Sequence, residues 1–491
     1  MPHLAAGTLV FFTSAAVLVL EILAGRLLAP YVGVTLETYT GIIGVVLAGI
    51  SLGTWLGGRM ADRIDPRRAL GPLLVVGGAA ALAAIPAIRL FGAMQLGRGP
   101  VAIVTLALVG FFPAAAALSA VGPTVVKLQL ADLHETGQVV GRLSALGTAG
   151  AIVGTFVTGF LLVSAFPSTP IILAVGGVVV LVGVACWALL GRPSGARLPA
   201  GALAVAVLAP LAAIALPEPC QVESAYFCAR VEPDPAREGG RLLRLDTLRH
   251  SYVDLHDPTY LEFSYAQIMS DVLAAIAPEG HPLDALHIGG GGFTLPRYIA
   301  ATRPGSFSRV LELDRTLVQI AREELGLVTG PDLQVRVGDA RLSLASEPAE
   351  AYDVVIGDAF GGQAVPWHLT TLEFVEQIRA VRRPGGVYAI NLIDYPPLGF
   401  ARAEVATLRR AFSHVAVVAP PDRLARRSGG NFVIVASDDP LPLDSIADRS
   451  AARGDDDALL STPVELDAFM GAAAVLTDDY APVDQLLTPL T

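Results

Sequence analysis

Four short segments carry the residue types that can hold a nucleoside and move a proton. The run His287-Ile288-Gly289-Gly290-Gly291-Gly292-Phe293 follows an apolar stretch and precedes a helical pattern. Glycines in that position let the backbone approach a nucleotide-like ligand closely. Glu312 ends the next apolar stretch, in Leu311-Glu312-Leu313-Asp314, 23 residues past Gly289. An acid there can accept hydrogen bonds from both ribose hydroxyls. Gly338-Asp339-Ala340 offers a carboxylate to an adenine amino group, and Ile356-Gly357-Asp358-Ala359-Phe360 places a further carboxylate after a fourth apolar stretch. Any one of these acids is most simply a helix N-cap. Four strand ends carrying glycines or acids in register point instead to a ligand outside the carboxyl ends of a sheet.

The elements that must position them read as buried strands at 286–288, 309–313, 333–337, 353–356, 387–392 and 432–435, with helical patterns between several of them, as at 315–325 and 372–381. That alternation predicts a parallel sheet covered on both faces, an α/β Rossmann-like domain. Residues 220–257 alternate apolar and polar side chains and read as a small antiparallel β unit leading into it. The Gly- and Arg-rich segment 423–430 reads as a mobile loop.

The remainder of the chain is of another kind. Of 491 residues, 53% are hydrophobic and only 16% charged, which excludes a single ordinary soluble enzyme and a disordered chain. Residues 1–200 hold eleven Lys and Arg against six Asp and Glu, whereas residues 201–491 hold 23 against 39. The basic part is also the apolar part, as in a membrane unit with cationic loops. The acidic part has no basic stripe, which argues against nucleic-acid binding.

Apolar runs at 7–29, 38–58, 69–88, 99–123, 142–164 and 170–190 each approach the ~20 residues that cross a bilayer. Arg59, Arg63, Arg67 and Arg68 put the loop after the second run, and the N-terminus with it, in the cytoplasm; Lys127, Arg142, Arg192 and Arg197 fit, while Arg89 and Arg98 do not. A seventh, shorter run, 202–216, contains Pro210. Six spans leave the acidic part in the cytoplasm, and seven put it outside. Cys220 and Cys228 are either a disulfide of an oxidising compartment or two reduced thiols. Glu21 and Arg26 fall in the first span, where charges are costly and usually functional, although Arg26 can snorkel. The predicted organisation is a multi-pass transmembrane helical domain over 1–200, a small β unit over 217–260 and an α/β domain over 261–491. No Cys/His cluster has metal-ligand spacing, and no Ser-His-Asp or P-loop signature occurs, so no metal is expected.

On these motifs, residues 220–485 resemble the spermidine synthase (polyamine aminopropyltransferase) family, a branch of the S-adenosylmethionine methyltransferase-type fold. The whole chain resembles the membrane-fused spermidine synthase-like proteins, whose N-terminal part is similar to half of a major facilitator transporter. Gly58-Arg59-Met60-Ala61-Asp62-Arg63 with Arg67 and Arg68 resembles the loop between helices two and three of that superfamily. The resemblance implies that Gly289, Gly290 and Gly291 form the donor's glycine loop, that Glu312 binds ribose, that Asp339 and Ala340 bind adenine, and that Asp358 is the catalytic aspartate. The amine-binding half departs from the family. Gly292 stands where the loop has an acid, and Gly361 where a second aspartate follows the catalytic one. The Tyr-His-Glu motif reads Tyr260-Leu261-Glu262, and the Asp-Gly-x-x-Gln motif reads Asp246-Thr247-Leu248-Arg249-His250, with His250 in place of Gln. Tyr260, Glu262, His368 and the pair Asp478-Asp479 are the groups that could compensate.

The first expectation is an integral membrane aminopropyltransferase that uses decarboxylated S-adenosylmethionine and an amine, and releases methylthioadenosine. The second is a methyltransferase using intact S-adenosylmethionine, because Gly292 would tolerate the donor's carboxylate. The third is a transporter or sensor with a degenerate nucleoside-binding domain. The expected partners are a small amine and the lipid bilayer, with room left for a homo-oligomer.

Overall fold

Long uninterrupted runs of apolar and small residues fold as long helices. The computed structural model describes residues 1–95, 97, 99–130, 136–192 and 195–487. The expectation for Arg98 lies outside them. Among the described residues, five helices are long and apolar enough to cross a membrane: His3–Val32, Leu36–Arg63, Pro66–Gly92, Thr136–Ala165 and Ser168–Gly191. The pair Pro100–Gly110 and Phe112–Gln129 makes a sixth if it is one span, bent by 46°. Pro113 explains the bend, since it has no N–H and its ring crowds the preceding turn. Ala200–Ala215 is a shorter apolar helix of 16 residues.

Small residues let these helices pack backbone against backbone. A Cβ on Gly53 would stand 2.1 Å from the Ala116 carbonyl oxygen, and one on Gly150 would stand 2.1 Å from that of Phe11. The outward faces carry Trp55, Phe160, Leu181, Leu189 and Ile214, all exposed. Polar bonds collect at the two ends. At one end Lys127 pairs with Asp62 at 3.0 Å, Gln129 donates to the Met1 carbonyl at 2.9 Å, and Arg142 lies 3.1 Å from His3. At the far end of Pro66–Gly92, the buried Arg89 binds the carbonyls of Ala213 and Leu216 and pairs with Glu218 at 3.1 Å. This accounts for the arginine that broke the charge pattern: it ties down the end of helix Ala200–Ala215.

Among the described residues, twelve strands follow: β1 Val222–Glu223, β2 Cys228–Pro233, β3 Gly240–Leu245, β4 Leu248–Asp254, β5 Asp284–Ile288, β6 Phe307–Glu312, β7 Leu333–Val337, β8 Tyr352–Gly357, β9 Arg382–Asp394, β10 His414–Ala419, β11 Gly430–Ser437 and β12 Ala458–Leu460. The first four form one sheet in order β1-β2-β3-β4. Cys220 and Cys228 are joined in a disulfide. The other eight form a sheet in order β12-β10-β11-β9-β8-β5-β6-β7. β5 through β9 pair in parallel, as expected, but β11 runs antiparallel to both β9 and β10, and β12 antiparallel to β10. The sheet is therefore mixed. β10 and β12 were not expected, because 414–419 and 458–460 are short apolar runs with no periodicity to mark them.

By contacts the chain divides into two units, Met1–Arg230 with Leu245–Thr247, and Val231–Arg244 with Leu248–Thr491. This boundary falls inside the four-stranded sheet. The arginines of 423–430, read as part of a mobile loop, are bonded: Arg423 to the Asn431 carbonyl, Arg426 to that of Phe469, and Arg427 to Asp422.

Candidate active site at the carboxyl ends of the central strands

The strand order reverses beside β5: the chain runs β5-β6-β7 to one side and β8-β9 to the other. Open α/β sheets bind ligands in the crevice at such a switch point. Pairing of Ile288 with both Gly357 and Leu311, and of Glu312 with Val337, sets the four strand ends in a row. Asp358, Gly289, Glu312 and Asp339 thus lie at neighbouring ends, over about 14 Å at ~4.8 Å per strand.

The glycine loop is shaped by close approach. Gly289 has φ +93°, and a Cβ there would meet the Asp358 carbonyl oxygen at 2.4 Å. Gly291 has φ +50°, and its Cβ would stand 2.8 Å from the His250 ring. Gly290 rests on the buried Phe293 ring. The amides of Gly290 and Gly291 donate to one Glu312 oxygen at 2.8 and 3.2 Å, and the Asp314 amide donates to the other at 2.8 Å. Burial raises the Glu312 carboxyl, against the three amides that favour its ionised form. These three bonds use three of the four lone-pair sites of the carboxylate, so Oε1 keeps one with which to accept from a ligand hydroxyl.

Asp339 caps the helix Ala340–Leu344 through the Leu342 amide at 3.0 Å, and its other oxygen lies 3.3 Å from His368 Nε2. Ala340 is buried beside it. His368 is thus not sealed in a core. It stacks edge-on to Trp367 and faces the Asp339 carboxylate.

Asp358 is held from two sides. The Tyr265 hydroxyl donates to one carboxylate oxygen at 3.1 Å, and the Asn391 amide donates to the other at 2.8 Å. Asn431 in turn donates to the Asn391 oxygen at 2.9 Å. Burial pushes the Asp358 carboxyl up to about 6, and the two hydrogen bonds oppose it. A carboxylate near that value is suited to take a proton from an ammonium at neutral pH.

The remaining expected residues are placed as follows. His250 Nδ1 lies 2.8 Å from Ser251 Oγ, and burial lowers the ring to about 4, so it is neutral against the glycine loop. The Gly292 amide donates to Ser251 Oγ at 3.0 Å, and a Cβ on Gly292 would stand 2.7 Å from Ser251 Cβ. An acidic side chain at this position therefore has no room without movement of β4. Tyr260 donates to Glu262 at 2.7 Å, Arg237 covers its ring, and Arg249 lies 3.6 Å from Glu262. Asp478 is spent on Arg341, at 2.7 and 2.6 Å, and on Thr371 at 2.8 Å. Asp479 is exposed in the adjoining turn. Among the described residues, the groups bonded to Asp358 are Tyr265 and Asn391, which sequence reading missed. The available signals were a tyrosine three residues past Glu262 and a polar side chain inside the apolar run of β9.

No family model matches the chain. It is similar to the polyamine aminopropyltransferase of Vibrio vulnificus (strain CMCP6), 27% identical over 230 residues, which are 44% of this chain and 73% of that protein. It is 32% identical over 159 residues to polyamine aminopropyltransferase 2 of Pseudomonas aeruginosa, covering 29% of this chain and 44% of that one. The human eEF1A lysine and N-terminal methyltransferase is 25% identical over 142 residues, 27% of this chain and 20% of its own. The switch point, the glycine loop and the antiparallel β11 define a Rossmann-like methyltransferase-type fold for the C-terminal part. That part is similar to spermidine synthases, the polyamine aminopropyltransferases.

Proposed function

We propose that the C-terminal unit is a transferase that moves an aminopropyl group from decarboxylated S-adenosylmethionine to a small amine. The observation that carries the reading is Asp358, its carboxyl raised to about 6 and clamped by Tyr265 and Asn391 one strand from the glycine loop. The amine nitrogen forms a bond to the carbon beside the sulfonium. The carbon–sulfur bond breaks, its electron pair goes to sulfur, and methylthioadenosine leaves. Asp358 takes the ammonium proton that frees the attacking lone pair. Gly289, Gly290 and Gly291 with Glu312 would hold the ribose side of the donor, and Asp339 with Ala340 the adenine. Alignment supplies most of what such a displacement needs. In the full chain, Asp358→Asn should lower transfer about 10²–10⁴-fold with donor binding retained. Full activity in that variant would refute the assignment.

A second reading, methyl transfer from intact S-adenosylmethionine, is favoured by the missing acid at Gly292. Turnover of the intact donor in place of the decarboxylated one decides for it.

We also propose that the helical unit spans a membrane with Arg59, Arg63, Arg67 and Arg68 in the cytoplasm. Its exposed apolar side chains support this. Helix Ala200–Ala215 runs from the Arg67 end, where a Gly191 Cβ would be 3.3 Å from the Arg67 carbonyl, to the Arg89 end at Glu218. Together with the Cys220–Cys228 disulfide, this favours a seventh crossing and an extracytoplasmic exit of the chain.

A further inference from the structure

Two of the cavities in the helical unit are stacked along the same pair of helices. The larger, about 740 Å³, is lined by residues 10–18 of the first helix and 50–62 of the second, and by hydroxyls such as Thr13, Thr54 and Thr148. The smaller, about 320 Å³, is lined by residues 21–29 and 39–43 of those helices, by 223–228 and by Asp246, all of one unit. Leu18 faces the larger cavity and Glu21 the smaller, about 4.5 Å apart along the helix axis.

The smaller cavity has an unbalanced charge. Arg26 and Glu223 cancel at 2.8 Å. Arg26 also bonds the Val163 and Ser224 carbonyls, and Glu223 accepts from the Ser168 amide and hydroxyl at 2.9 and 2.5 Å. This leaves two carboxylates. Asp246 accepts from the Cys228 amide through one oxygen at 3.0 Å, and burial pushes its carboxyl up to about 6. Glu21 makes no hydrogen bond or ion pair among the described residues. A lone carboxylate midway along an apolar helix is costly unless a countercharge reaches it. Tyr39, Tyr226 and Phe227 supply aromatic faces to the same space, and such faces attract organic cations.

We propose that this cavity is a binding site for a small organic ammonium ion, held by Glu21 and Asp246 and by the aromatic faces, with the larger cavity as its approach from the Asp62 end. The site is separate from the strand-end crevice and does not rest on the transferase reading. The test is calorimetric titration of the full-length protein with n-butylammonium, with n-butanol as the neutral analogue. Asp358→Asn should still bind the cation, and the alcohol should not compete. Glu21→Gln and Asp246→Asn should each weaken binding by about tenfold or more. The two substitutions lie on different segments, so either decides if the other fails to fold. Absence of binding, binding unchanged in both variants, or binding lost only in Asp358→Asn would each overturn the proposal.

Discussion

Replacing Tyr265 by Phe removes one hydroxyl and leaves the ring. The lost bond is the 3.1 Å donation to Asp358, which favours the ionised carboxylate. A hydrogen bond to a charged group contributes about 1.5–3 kcal/mol. At about 1.36 kcal/mol per pKa unit, its loss raises the Asp358 carboxyl by roughly one to two units. The carboxylate is the working form, so activity falls as pH drops through its pKa. The acid limb of kcat/KM, centred at about 6 in the wild type, should move to between about 7 and 8 in Tyr265→Phe. Most of the rate should return above that limb. The assay is aminopropyl transfer by the detergent-solubilised full chain, followed across the pH range with each variant. An unmoved limb, a limb displaced to lower pH, or a drop of equal size at every pH would refute the role of the hydroxyl in tuning Asp358.

Gly292→Ala should destabilise the second unit by about 1–3 kcal/mol, because its Cβ meets Ser251 Cβ at 2.7 Å. Combining it with Ser251→Gly should recover part of that loss in chemical denaturation, and equal stability of the single and double variants would show that the contact is not the cause. Asp478→Ala should lower the thermal midpoint by only ~2 °C and leave transfer intact, since its bond to Arg341 is partly solvent-exposed. Loss of transfer with the fold preserved would instead place Asp478 at the substrate. In sealed cells, Cys220 and Cys228 should react with an impermeant thiol reagent only after an impermeant reductant, whereas a cysteine introduced by Arg63→Cys should not react. The reverse pattern would put residues 220–228 in the cytoplasm and remove the seventh crossing.

The strand-end half of the candidate site was legible because it follows the ends of apolar runs. A glycine run, Glu312, Asp339 and Asp358 each follow an apolar stretch at fixed spacing, and parallel pairing brings such positions together. The surroundings of Asp358 were not legible, because they depend on contacts between distant segments. Tyr265 reaches Asp358 across 93 residues and Asn391 reaches it across 33, and neither carries a local signature. Asp478 was a candidate substrate carboxylate, and the fold pairs it with Arg341, which lies 137 residues earlier.

The sequence by itself determined what periodicity and composition control: long apolar helices before residue 200, a β unit, and an alternating α/β domain with its glycine loop. Burial of apolar surface and satisfaction of backbone hydrogen bonds impose those patterns locally. Only the tertiary structure decided where each charge is spent. Whether Glu262, Asp478, Glu223 or Arg89 is free to meet a ligand depends on which opposite charge or carbonyl the fold brings within about 3 Å, and a carboxylate's strength depends on how much water the fold removes from around it.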